Sequence, residues 1–261
     1  MSSAKVLVIF EGEQPEENAF ARLQKAFPDE LSDLAEDLVK IVFSTNIYAL
    51  YSVLKQDEGF LDVVEVLKER LPKNKSLQDL NREDVSQIYL FFDLDIHGKN
   101  FSPEISCKQL SELVDFFDNE TENGKLFLSY PMVEAVNICD IENGLMSEDR
   151  RLFKIEDCQS NGFKRFAGAL NRDSKTICRA NGRKNWNIIC KANYEKAQWL
   201  MERSSEDISS VLEKMNQSAI LRCQQNLITR EAVVATLSAF PFFLLEYLGA
   251  RVTNSLILQK K

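Results

Sequence analysis

The chain has 261 residues, 44% of them hydrophobic and 28% charged, which fits one large globular domain or a core domain with an appended helical part. Its formal net charge of −8 argues by itself against a nucleic-acid partner, but the charge is segregated: residues 150–191 carry eleven Lys/Arg and three Asp/Glu, a balance of +8 beside a remainder of −16. Six cysteines (Cys107, Cys139, Cys158, Cys178, Cys190, Cys223) without a C-x-x-C pair exclude the usual zinc spacing and a disulfide framework.

In chain order, residues 5–10 form a continuous aliphatic run, the pattern of a central parallel strand. It ends at Glu11-Gly12-Glu13-Gln14-Pro15, where Gly12 permits a tight turn and Pro15 suits the first turn of a helix. Phe20, Leu23 and Phe27 space that helix over 16–27, and Pro28 ends it. Residues 38–43 read as a second strand, followed by Ser44, Thr45 and Asn46 as N-caps for a helix through Ile47, Leu50, Tyr51 and Leu54. Helical spacing returns over 60–71, and 73–84 reads as polar linker.

Residues 87–92 are a buried strand that runs into Asp93-Leu94-Asp95-Ile96-His97-Gly98. A strand alternates its side chains, so Asp93 and Asp95 point the same way at the carboxyl end, where open α/β sheets bind ligands. Two adjacent carboxylates suit a divalent cation, and a solvated Asp-rich turn is the other reading. A helix over 103–117, a turn over 119–124 and a strand over 125–129 follow. This alternation predicts βαβ units and a mostly parallel sheet flanked by helices, an α/β fold, over residues 1–145. Residues 146–261 are expected to be mainly helical, with 147–191 basic and irregular and helical spacing from Asn185, over 208–215 and over 232–247. The apolar stretch 232–245 is too short to span a bilayer and contains Pro241, so a buried helix and no membrane partner are expected. No signal peptide is visible, which leads to a cytoplasmic location with reduced thiols. Phe240, Phe242, Phe243 and Leu244 exceed what one helix face usually buries and suit a homo-oligomer surface.

Strand-end Glu-Gly followed by strand-end Asp-x-Asp resembles the TOPRIM domain of topoisomerases, primases and OLD-type nucleases. Glu11-Gly12-Glu13-Gln14-Pro15-Glu16 is similar to the E-G-E-x-T-E opening of RloB-like proteins, with Pro15 in place of Thr. Phe92-Asp93-Leu94-Asp95-Ile96-His97 resembles their F-D-x-D-x-H, and Ser129-Tyr130-Pro131-Met132-Val133-Glu134 their S-x-P-x-x-E. The resemblance covers residues 4–136, about half of the chain.

The resemblance implies a Mg²⁺- or Mn²⁺-dependent nuclease that hydrolyses phosphodiester bonds of DNA or RNA, an anti-phage defence effector. Glu11 would ligate metal or orient water, Asp93 and Asp95 would ligate metal, and Glu134 with Ser129 would complete a second metal site. A lysine beyond the core would approach the scissile phosphate, Lys191 or equally Lys164. Other readings stand beside these: Glu11 as an exposed loop carboxylate, Glu134 as a helix N-terminal acid, His97 as a turn or phosphate-binding residue. Lys164, Arg165, Arg179, Arg183 and Lys184, with Phe163, Phe166 and Trp186 interleaved, form the expected nucleic-acid face; a solvated surface or a dock for the acidic half is the alternative, and aromatics at helical spacing are more often core than stacking platforms. The chain has no G-x-x-x-x-G-K-[ST], so any ATP control requires a separate ATPase partner. A primase or topoisomerase lacks its zinc-ribbon cysteines and a recognisable tyrosine context. The reading from another class is a non-catalytic TOPRIM-like or flavodoxin-like module that uses the acidic pocket for Mg²⁺-dependent binding.

Overall fold

The computed structural model describes residues 4–56, 62–94, 96, 103–139, 152–172, 180–204 and 215–257. The first part runs β1 (Lys5–Phe10), α1 (Pro15–Ala26), α2 (Ser32–Glu36), β2 (Leu38–Val42), α3 (Ile47–Gln56), α4 (Val63–Arg70), α5 (Lys75–Gln78), β3 (Val85–Asp93), α6 (Pro103–Phe116), β4 (Asp118–Asn119) and β5 (Gly124–Ser129), and ends in a 3₁₀ turn, Val133–Asn137. The second part holds β6 (Leu152–Lys154), α7 (Ile155–Gln159), α8 (Gly162–Arg172), α9 (Gly182–Ser204), α10 (Gln217–Glu231), β7 (Val233–Ala235) and α11 (Ala239–Ile257).

The protein is α/β, with a mostly parallel five-stranded sheet in the order β2-β1-β3-β5-β4. β2, β1, β3 and β5 are parallel, and only the short edge strand β4 runs antiparallel. β1 and β3 are the inner strands because their runs are apolar on both faces: Leu7 to Phe10 and Ile88 to Phe92 are all buried. The chain moves from β1 outward to β2, then returns past β1 to β3. The strand order therefore reverses between β1 and β3, and a crevice opens at their carboxyl ends. Gly124 starts β5 at φ +106°, and a Cβ there would stand 2.6 Å from Leu90 Cδ1, so only glycine lets β5 approach β3.

One face of the sheet carries a continuous aromatic layer. Phe10 meets Phe20 of α1 at 5.5 Å, and Phe91 stacks on Phe240 of α11 at 5.0 Å and 12°. Phe243 closes the layer against Phe20 at 5.8 Å and Phe127 at 5.7 Å. Burial of such rings supplies most of the cohesion here, about 1.5–3 kcal/mol for each fully buried large apolar side chain. The other face is covered by α3 and α6, where Tyr51 packs on Phe116 at 5.3 Å and Phe43 on Phe92 at 6.5 Å.

The second part lies directly on this sheet. α9 packs on α1 and α11, and α10 packs on α6 and α9. Buried polar side chains fix the loop between β7 and α11. Gln224 exchanges two hydrogen bonds with the Ala235 backbone (2.8 and 2.9 Å), Lys196 donates to the Thr236 carbonyl at 2.6 Å, and Asn193 accepts from the Ser238 N–H at 2.9 Å. That loop in turn pairs with the end of β5, through Tyr130 and Leu237 at 2.7 and 2.9 Å. Among the described residues no helix is long and apolar enough to cross a membrane.

Several sequence expectations are corrected. The linker 73–84 contains α5, capped by the Asn74 side chain, and a 3₁₀ turn over Arg82–Asp84. The basic stretch is not irregular where it is described: Phe163, Phe166, Ala167 and Leu170 recur at helical spacing and build α8. Residues 232–247 are not one helix, because Ala232 adopts φ 53° and ends α10, β7 follows, and α11 starts only at Ala239. Phe240, Phe242, Phe243 and Leu244 are buried within this chain, which removes the reason for reading them as an oligomer surface. Phe163 and Trp186 are likewise fully buried and are core rather than stacking platforms. Asp95, His97, Arg179 and most of 208–215 lie outside the described residues.

Candidate metal centre

Glu11 is the first residue beyond β1, and the ladder still holds it: its N–H donates to Phe91 O at 3.1 Å and its carbonyl accepts from Ser44 at 2.9 Å. Its side chain turns across the crevice, and Oε2 accepts the backbone N–H of Asp93 at 2.8 Å. Asp93 is the last residue of β3, two residues after Phe91, so alternation carries its side chain to the aromatic face, beneath α1 and the 133–137 turn. Its Oδ1 is buried and meets no hydrogen-bond donor among the described residues. Burial first, and then the negative charges of Glu11, Glu16 and Glu134, hold the Asp93 carboxyl well above the usual carboxylate range; the Val133 N–H pulls weakly the other way.

Glu16 is the residue the sequence reading passed over. It stands in the first turn of α1, is only 5% exposed, and its Oε2 has no hydrogen-bond partner among the described residues. Gly12 makes room for it, since a Cβ at Gly12 would lie 3.0 Å from that oxygen. Burial raises the Glu16 carboxyl above its ordinary value and the Glu134 charge adds to this, against the backbone N–H groups of Glu16 and Gly12 and the charge of Lys164. The signal was in the sequence: Glu16, Ala19, Phe20 and Leu23 share one helical stripe, so the apolar spacing of α1 places an acid on its buried face.

Glu134 sits in the 3₁₀ turn after β5, largely buried, with Lys164 of α8 reaching to 3.8 Å. Beside it, between α1 and this turn, is a cleft of about 220 Å³ whose lining includes Asn18, the exposed Arg22, Glu134 and Asn137. Ser129, paired in register with Asp93, is buried, and its Oγ accepts the N–H of Ala239 at 3.3 Å, at the start of α11.

Asp93, Glu11, Glu16 and Glu134 are thus brought together. They offer only oxygen donors, and two of these are buried carboxylate oxygens without partners. Hard divalent cations such as Mg²⁺ and Mn²⁺ take this donor set. Among the described residues no three acidic, His or Cys side chains converge closely enough to enclose an ion, and Asp95 lies outside those residues.

Of the two lysine candidates, the structure brings Lys164 to the acids. Lys191 pairs along its own helix with Glu195 at 3.7 Å. Arg183 is engaged within the chain, bonded to Glu30 and lying 5.0 Å over the Phe27 ring. That contact pins α9 to the loop after α1. Arg165 donates to the Ser160 carbonyl at 3.3 Å and is exposed, and Lys184 is exposed.

In comparisons with protein-family models, curated proteins and solved structures, nothing matches this chain.

Proposed function

We propose that this chain is a TOPRIM-type nuclease that hydrolyses phosphodiester bonds of DNA or RNA and depends on Mg²⁺ or Mn²⁺. The observation that carries the reading is the Asp93 carboxyl: an oxygen buried without a partner among the described residues, beside three further acids, at the carboxyl end of the central strand where the strand order reverses. Leaving such a group unpaired is costly, and a cation removes the cost. When bound, a divalent ion supplies Lewis acidity and a strong oxygen nucleophile at neutral pH.

In this reading Asp93 and Glu16 hold the ion. Glu11, pinned to the Asp93 backbone, orients the attacking water. Lys164, beside Glu134, and Arg22, in the adjoining cleft, meet the phosphate. Lys184 and Arg165 extend the contact to the nucleic-acid backbone. A role in anti-phage defence, beside a separate ATPase, belongs to the same proposal and is supported by the motif resemblance alone.

The test is incubation of the purified protein with labelled DNA and RNA in Mn²⁺, Mg²⁺ or EDTA, beside Asp93→Asn and Glu11→Gln. Cleavage that needs the metal and both carboxylates supports the reading. Substrates left intact by wild type in every metal would remove it, and cleavage persisting in EDTA would remove the metal mechanism.

A further inference from the structure

We propose that the cleft between α1 and the 133–137 turn takes one unstacked nucleobase, so that the nucleic acid bound here is single-stranded. The inference deepens the nuclease reading and rests on it for nucleic acid as the ligand. Glu134 is the link, since it lines the cleft and its charge acts on both Asp93 and Glu16. A group seated in the cleft is therefore a neighbour of the candidate metal centre.

Three hydrogen-bonding side chains converge on this cleft with no other engagement. Asn18 and Arg22 stand one turn apart on α1, four residues from each other, and so lie on one ridge beside its buried stripe. Asn137 comes from the turn after β5. None of the three side chains makes a hydrogen bond or an ion pair with any described residue, whereas Arg183 and Lys191 are each paired with an acid.

Size and chemistry select the occupant. The cleft, at about 220 Å³, is smaller than the roughly 300–1,000 Å³ sites that enclose a whole drug-sized ligand, so it admits one ring system and no duplex. Each amide offers a carbonyl acceptor as well as N–H donors, the mixed pattern that a base edge presents. Those acceptors and the Glu134 carboxylate disfavour an anion inside the cleft. The exposed Arg22 is then left for the phosphate of the same nucleotide. A paired base would have to be flipped out of its stack to enter, and a base of a single strand meets no such cost.

Fluorescence anisotropy of the full chain with single-stranded and duplex DNA and RNA of equal length, in EDTA, tests this beside cleavage of the same strands in Mn²⁺. The single strand should bind at least tenfold more tightly than its duplex. Asn18→Ala and Asn137→Ala should each weaken single-strand binding at least fivefold and leave duplex binding within twofold of wild type. Lys25→Ala removes an exposed cation of α1 outside the cleft and should leave the preference for single strands unchanged. Amide-dependent binding of single strands with no cleavage in any metal would support the base site while removing the nuclease reading. Equal affinity for the two forms, or single-strand affinity unmoved by both amide variants, would overturn the base site, and cleavage in Mn²⁺ would then leave the nuclease reading standing. Failure to bind either form would overturn the base site as well.

Discussion

Glu11 reaches across the reversal of strand order to hold the backbone of Asp93, its Oε2 taking the Asp93 N–H at 2.8 Å. One carboxylate is thereby both a strut and a candidate catalytic group, and the two roles separate by substitution. Glu11→Gln keeps an acceptor and should change stability by less than about 0.5 kcal/mol, whereas Glu11→Ala leaves the N–H unpaired and should cost about 1–2 kcal/mol. Both should lower cleavage on the order of a hundredfold or more. Denaturant unfolding beside the nuclease assay checks this, and wild-type cleavage by Glu11→Gln would leave the residue a strut only.

Asp93 should limit the stability of the metal-free protein. Its folded carboxyl titrates well above the ordinary 3.8, so between 3.8 and that higher value the folded state binds more protons than the unfolded one. Stability in EDTA should therefore be greatest at low pH on this account and fall as pH rises toward the folded pKa, with Glu16 adding in the same direction. Asp93→Asn removes the buried charge and should be more stable than wild type at neutral pH, by on the order of 1–3 kcal/mol, while inactive. A destabilised Asp93→Asn in EDTA at pH 7 would contradict the placement.

Metal and protons should compete for these acids. Mn²⁺ or Mg²⁺ should raise the melting temperature at pH 7–8 and much less near pH 5, since a cation binds the ionised carboxylates. Calorimetry in two buffers of different ionisation heat should show proton release on binding. A pH-independent shift would count against Asp93 and Glu16 as ligands.

The exposed cations should matter to binding and the engaged ones to folding. Lys184→Glu and Arg165→Glu should weaken nucleic-acid binding and make it less salt-dependent, by roughly one counterion for each phosphate that is no longer neutralised. Arg183→Glu should act first on stability, because Glu30 then faces a like charge, and Lys164→Met should cost under about 1 kcal/mol as its amine is largely exposed. Fluorescence anisotropy over a salt series, beside thermal melts, separates the two groups.

Gly124→Ala should destabilise the sheet by about 2 kcal/mol or more, since the new methyl meets Leu90 and Ile88 at a φ that disfavours side chains. A melt within a degree of wild type would contradict the close approach of β5 to β3.

The sheet was legible because β1, β2, β3 and β5 are runs that only a buried parallel strand explains, and strand ends are where acids gather. That logic reached Glu11 and Asp93, and the motif resemblance added Glu134. It missed Glu16 because a helix-start acid is read as a favourable partner of the helix dipole, while its membership of the buried stripe Glu16, Ala19, Phe20, Leu23 went unused. It left Phe163 and Trp186 between core and stacking platform, because a basic neighbourhood says nothing of which side of a helix faces inward; both are core. The short strands β6 and β7 carry three residues each, too few for any period to show, and are fixed instead by distant partners such as Gln224.

The cover of the aromatic layer comes from far along the chain. Ser129 completes the strands long before Ala239 begins α11, and at about 5–20 residues per second the rings of Phe10, Phe91 and Phe127 wait on the order of ten seconds for Phe240 and Phe243. On the ribosome the protein therefore passes through a stage with part of one sheet face bare, since only α1 covers it by then. A chain stalled or clipped before Ala239 therefore presents a sticky sheet to its surroundings.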